Sequence, residues 1–131
     1  MTTLKPPPFK FGRAPQLKGT ETQLVSAILD VISIKYRATV YAYRNNTGAT
    51  ATPSGGFVRY GHKGSADIIG VVKGGKFLAL ECKTASGKPT PHQLEWLAAI
   101  SALGGVAAIV RSVDEACAVI DNALASEVTD G

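Results

Sequence analysis

The chain has 131 residues, 45% of them hydrophobic, and a formal net charge of +4, which suits one domain with a real core and excludes a wholly disordered chain. It has no apolar run of about 18 residues and no N-terminal stretch of signal-peptide form, so no membrane-spanning helix is expected and the cytoplasm is the expected compartment. Its two cysteines, Cys82 and Cys117, have no His or Cys companions at ligand spacing, and both are expected as buried, reduced thiols rather than a zinc site or a disulfide.

Residues 1–19 are proline-rich, carry scattered Lys and Arg and show no periodicity, so an irregular basic arm is expected there. Thr20-Glu21-Thr22-Gln23 has the form of a capping box, and Leu24, Val25, Ile28, Leu29 and Ile32 then recur at helical spacing, predicting a first helix to about Tyr36. Glu21 falls on the side of that apolar stripe. It is either an acid favoured by the helix dipole or a third carboxylate turned toward a site further along the chain.

Alternation over Thr39 to Arg44 predicts a strand. Asn45 to Gly56, with its Asn-Asn, Thr-Gly and Pro-Ser-Gly-Gly, reads as a loop, followed by a short strand or turn at Phe57 to Tyr60. Residues 64–83 carry the strongest signal: two β-favouring runs separated by Gly74-Gly75, the pattern of a hairpin. Thr90-Pro91-His92-Gln93 opens a helix with a cap residue, a proline and a capping-box glutamine. Its buried stripe is expected at Leu94, Leu97, Ala98 and Ser101, widened by Trp96, Ile100 and Leu103, with an end at Gly104-Gly105. Val106 to Val110 is expected as a strand buried on both faces. Ser112 to Glu115 caps a last helix, whose end should fray from Glu127 to Gly131. The organisation is therefore an arm at 1–19, one α/β domain at 20–126 with a single mixed sheet flanked by helices, and a short tail.

Asp67, Glu81 and Lys83 are charged residues on otherwise hydrophobic strands, where burial without partners is costly, and a catalytic metal site is the economical explanation. Glu81 and Lys83 stand two apart and so share a face. The register of the turn decides whether Asp67 joins them. A two-residue Gly74-Gly75 loop would put the carboxylates on opposite sides of the sheet. A three-residue loop, Lys73 to Gly75, pairs Val72 with Lys76, sets Asp67 opposite Glu81 and uses a glycine for positive φ. The second register is expected.

Charge placement points the same way. Residues 31–94 hold nine basic side chains and only two acids, and those acids are Asp67 and Glu81. Such a segment suits a polyanion, with a cation site set inside a phosphate-binding surface, or else is a solvated basic face. Arg44, Asn46, Arg59, His62, Lys63 and Lys88 are the candidate DNA contacts. His62 stays open between phosphate contact, general base and bystander.

An N-terminal helical glutamate, an aspartate on one hairpin strand, Glu-x-Lys on the next and a glutamine opening the following helix resemble the PD-(D/E)xK nuclease superfamily. Arg44-Asn45-Asn46-Thr47-Gly48, Gly64-Ser65-Ala66-Asp67-Ile68-Ile69-Gly70, Phe77 to Lys83, Gly87-Lys88-Pro89-Thr90-Pro91-His92-Gln93 and Gly104-Gly105-Val106-Ala107 resemble, more narrowly, the VRR-NUC family, common in phage and prophage genomes. The residue before the aspartate is Ala66 where proline is usual. The resemblance implies a restriction-endonuclease-like core and a Mg²⁺- or Mn²⁺-dependent DNA endonuclease, in stand-alone members a homodimer similar to four-way (Holliday) junction resolvases. It also implies Asp67, Glu81 and the Cys82 carbonyl as metal ligands, Lys83 as the catalytic lysine, Glu21 as an accessory acid and Gln93 as an active-site neighbour, although Gln93 could equally serve only its capping box. A nickase or flap nuclease, or a catalytically silent nucleic-acid-binding module, are the alternatives.

Overall fold

The structure, a computed structural model, describes residues 14–130, in the order α1 (Ala14–Lys35), β1 (Val40–Arg44), β2 (Gly48–Ala51), β3 (Phe57–Tyr60), β4 (Ile68–Val72), β5 (Lys76–Cys82), α2 (Pro91–Ala102), β6 (Val106–Val110) and α3 (Val113–Asp130). The α/β expectation holds. β1, β4, β5 and β6 form one mixed sheet in that order, with β1–β4 and β4–β5 antiparallel and β5–β6 parallel.

Alternation along the strands splits the core between the two faces of this sheet. On one face Ile68, Val72, Leu78, Leu80, Cys82 and Val110 meet Val25, Ile28 and Ile32 of α1 and Ala116, Ile120 and Ala123 of α3. On the other, Ala66 and Ala79 meet Leu97 of α2, with Trp96, Ile100, Ala107 and Ile109 packed around them. β5 is thus enclosed from both sides. Tyr36 fastens the end of α1 to α3 through a hydrogen bond from its hydroxyl to Asp121 Oδ1 at 2.7 Å.

Several expectations need correction. α1 begins at Ala14, with Pro15 in the first turn where proline is tolerated, so the Thr20 capping box lies inside a helix and only residues 1–13 of the expected arm fall outside the described residues. Residues 45–56 are not all loop: β2 pairs with β3 to make a second, two-stranded sheet apart from the first. In α2 the buried face is Trp96, Leu97 and Ile100, whereas Leu94 is 49% and Leu103 89% exposed. β6 is half-buried rather than enclosed, because it is the outer strand of the sheet. The last helix, expected to fray from Glu127, spans Val113–Asp130, and Gly131 lies outside the described residues.

Candidate active site

The hairpin of β4 and β5 has the three-residue turn. Val72 pairs with Lys76 and Ile68 with Leu80, so one further step sets Asp67 opposite Glu81. Gly74 and Gly75 take φ of 100° and 91°, the left-handed region in which a side chain would be strained. The register places Asp67, Glu81 and Lys83 on one side of the sheet, at the end where β5 and β6 both finish.

Each of the three is held. Asp67 Oδ2 accepts a hydrogen bond from the Cys82 backbone N–H at 2.9 Å, and the Asp67 carbonyl accepts one from Asn45 N–H at 2.7 Å. The approach to Asp67 is fixed from β1 as well: Asn45 Nδ2 donates to Ser65 Oγ at 2.8 Å and to the Ala66 carbonyl at 2.9 Å. Gly64 begins this approach with φ of 85°, and a Cβ there would lie 2.6 Å from the His92 carbonyl oxygen, so glycine permits the loop to lie against the start of α2. Lys83 extends the parallel ladder by donating its N–H to the Val110 carbonyl at 3.1 Å, and its Nζ sits 3.4 Å from Glu81 Oε2.

Burial shapes the electrostatics. Glu81 is 3% exposed, and burial, reinforced by the Asp67 charge and opposed by Lys83, pushes its carboxyl up to about 7. Asp67 is also raised, by burial first, against the pull of the Cys82 N–H and of Lys83; Glu21 adds to the rise and Arg44 opposes it. Burial likewise pushes the Cys82 thiol up to about 12, so it is inert, as expected for a thiol in the core. Among the described residues, Glu81 Oε1 is a buried oxygen with no hydrogen-bond partner. An orphaned buried carboxylate oxygen is expensive in a finished protein, and here it stands beside a second carboxylate.

The donor set fits a hard divalent cation of the Mg²⁺ type. No group of three or more His, Cys, Asp or Glu side chains able to hold an ion is present among the described residues. Mg²⁺ commonly takes one or two carboxylates and completes its shell with water and substrate phosphate, so a pair such as Asp67 and Glu81 suffices.

The other candidates are distributed unevenly. Glu21 is close enough for its charge to act on Asp67 and Cys82, and its Oε2 lies 3.3 Å from where a Cβ on Gly87 would stand, so α1 brings it to the rim of the site. Gln93 is used by its helix: Thr90 N–H donates to its Oε1 at 2.9 Å, and Gln93 N–H donates to Thr90 Oγ1 at 3.2 Å. Arg44, at the end of β1, is steadied by a 3.2 Å hydrogen bond to Ser26 of α1 and acts electrostatically on Asp67. Asn46, Arg59, His62, Lys63 and Lys88 are exposed on the loops and on the small hairpin beside the site.

Sequence reasoning passed over Arg111. Its Nη1 donates to the carbonyls of Thr84 at 2.6 Å and Gly87 at 2.7 Å, clamping the loop that follows Lys83, while its own N–H donates to Glu115 Oε1 at 2.8 Å. The available signal was positional, since Arg111 directly follows the carboxyl end of a strand parallel to β5, where sites in such sheets gather.

No protein-family model matches the chain. It is similar to a protein named "Putative nuclease p44" of Acyrthosiphon pisum secondary endosymbiont phage 1, at 38% identity over 58 residues, which is 44% of this chain and 62% of that protein. The matched stretch thus covers less than two thirds of that relative's length.

Proposed function

We propose that the chain is a metal-dependent DNA endonuclease of the PD-(D/E)xK type, of the VRR-NUC family, acting on branched DNA as a four-way-junction resolvase. The observation that carries this reading is the pairing of Asp67 with Glu81 across β4 and β5, with Lys83 against Glu81 and Glu81 Oε1 buried and unpaired. The similarity to a phage protein named as a nuclease supports the reaction class.

Asp67 and Glu81, with the Cys82 carbonyl, would hold Mg²⁺ or Mn²⁺. Bound there, the ion would supply Lewis-acid relief of phosphate charge and a more acidic water. The chain's own part is electrostatic and positional. The Cys82 N–H fixes Asp67, the Arg111 clamp fixes the loop behind Lys83, and the ammonium of Lys83 orients a nucleophile and offers a fixed positive charge to the phosphate. Arg44, Lys63 and Lys88 draw the DNA backbone toward this point. A binding-only module would gain nothing from buried carboxylates in a phosphate-facing surface. Symmetric cutting of a junction takes two equivalent sites, so the working unit is proposed to be a homodimer.

Cleavage of labelled duplex, flap and four-way-junction DNA, with Mg²⁺, Mn²⁺ or EDTA, tests the reading. Paired cuts across the junction, lost in EDTA and in Asp67→Asn, Glu81→Gln and Lys83→Met, are the expected result, with light scattering reporting a dimer. Cutting of one strand only by a monomer would replace the resolvase with a nickase. Wild-type rates in any of the three variants would remove the site assignment.

A further inference from the structure

The hairpin of β2 and β3 has no core of its own. All of its strand residues are exposed, and a two-stranded ribbon in water is marginal without a surface to lie against. Its side chains are sorted. Register pairs Ala49 with Arg59 and Ala51 with Phe57, so one face presents an aromatic ring and a guanidinium above two small residues. Phe57 is 74% exposed, a large apolar surface left in water.

The ribbon's root, in contrast, is fixed. Tyr60 covers Gly48 so closely that a Cβ there would lie 2.7 Å from the Tyr60 hydroxyl oxygen, and a Cβ on Gly61 would lie 2.7 Å from the Asn46 carbonyl oxygen. The adjoining segment is tied to Asp67 itself through the Asn45 N–H. A hollow of about 210 Å³ between the ribbon and the following loop is lined by Arg59, Tyr60 and Lys63, among others. From Asn45 to Ala66 the chain contains no Asp or Glu.

From this geometry we infer that the Phe57 and Arg59 face of the β2–β3 ribbon grips unpaired nucleotides beside the scissile phosphate, the ring stacking on a base and Arg59 with Lys63 holding the neighbouring phosphates. The charge selects a polyanion over a protein partner. The phenylalanine selects among DNA forms, because its ring has no hydrogen-bonding group to read a groove, and the π-face of a base is open to it only where stacking is broken. Branch points and single-stranded tails offer such bases, and an intact duplex does not. The inference deepens the nuclease reading and rests on it for the choice of DNA: the ribbon becomes the element that makes cutting structure-selective.

The test is fluorescence anisotropy in EDTA, at low and at physiological salt, with Asp67→Asn protein and three DNAs of equal length: fully paired, tailed and four-way. Phe57→Ala should weaken binding to the tailed and four-way DNAs roughly tenfold, within the range typical of base–aromatic stacking, and leave the duplex unchanged, while Phe57→Tyr keeps wild-type affinity. Arg59→Ala should weaken all three and lower the salt dependence by about one phosphate contact. Equal effects of Phe57→Ala on paired and unpaired DNA, or none on either, would overturn the inference; none on either would point to a protein occupant. The variants lie on the surface, and unchanged thermal melts check that they fold. Wild-type protein that cut no DNA with Mg²⁺, yet kept the Phe57-dependent preference, would defeat the nuclease reading and spare the ribbon.

Discussion

Glu81→Gln removes one ionisable group from a site in which that group is almost wholly buried, and its consequence for stability can be worked through. In the metal-free fold the carboxyl is pushed from 4.5 to about 7. A folded-state value above the unfolded one means that the native protein holds the proton more tightly. The associated stability is fully present below the unfolded value and is lost as pH rises through the folded one. With each unit near 1.4 kcal/mol, the metal-free wild type should lose about 2 to 3 kcal/mol between about pH 5 and about pH 8 that Glu81→Gln does not lose. In a protein of this size that is on the order of 10 °C in melting temperature. Costs of the substitution that do not depend on pH cancel when each protein is compared with itself. The assay is urea or thermal unfolding of both proteins in EDTA at the two pH values. Mg²⁺ at the higher pH should restore the wild type and leave Glu81→Gln unmoved, since a ligand that binds only the native state stabilises it by mass action. Parallel pH profiles for the two proteins in EDTA would refute the reasoning, because Glu81 would then ionise as easily in the fold as out of it.

Two more outcomes follow from the same geometry. In EDTA at about pH 8, where Glu81 is ionised, Asp67→Asn and Glu81→Gln should bind DNA more tightly than wild type while cutting nothing, because each carboxylate near a phosphate repels it by about 2 to 4 kcal/mol before screening, whereas Lys83→Met should bind no better; mobility shifts at two salt concentrations read the difference. Arg111→Ala, which strips the donors from the Thr84 and Gly87 carbonyls, should cost about 1 to 3 kcal/mol in denaturant unfolding and lower turnover, with Arg111→Lys recovering part of both.

What the sequence disclosed depended on how strongly local chemistry constrained each element. The β4–β5 hairpin was legible to the register, because only a three-residue turn lets Asp67 face Glu81 and the glycines supply the positive φ that this turn uses. The Thr90 capping box was equally explicit. The buried side of α2 was not, since apolar residues surround that helix and periodicity could not select Trp96 and Ile100 over Leu94 and Leu103. β2 escaped notice because Gly-Ala-Thr-Ala, exposed on both faces, carries neither alternation nor β-branched bulk, and its partner β3 supplies the large side chains. Arg111 acts through carbonyl acceptors, which every residue possesses, so its clamp left no trace in the types of its partners.

The peptide between Glu81 and Cys82 joins the site on one face of β5 to the core on the other. Its N–H holds the Asp67 carboxylate, and the thiol on the same residue is wholly buried against the core shared by α1 and α3. A bulkier side chain at position 82 would therefore have to move the strand, and the strand carries the hydrogen bond that aims the aspartate. Packing defects on the far side of the sheet would surface as lost chemistry on the near side. A search for variants with a better-filled core should leave this position at the size of a cysteine.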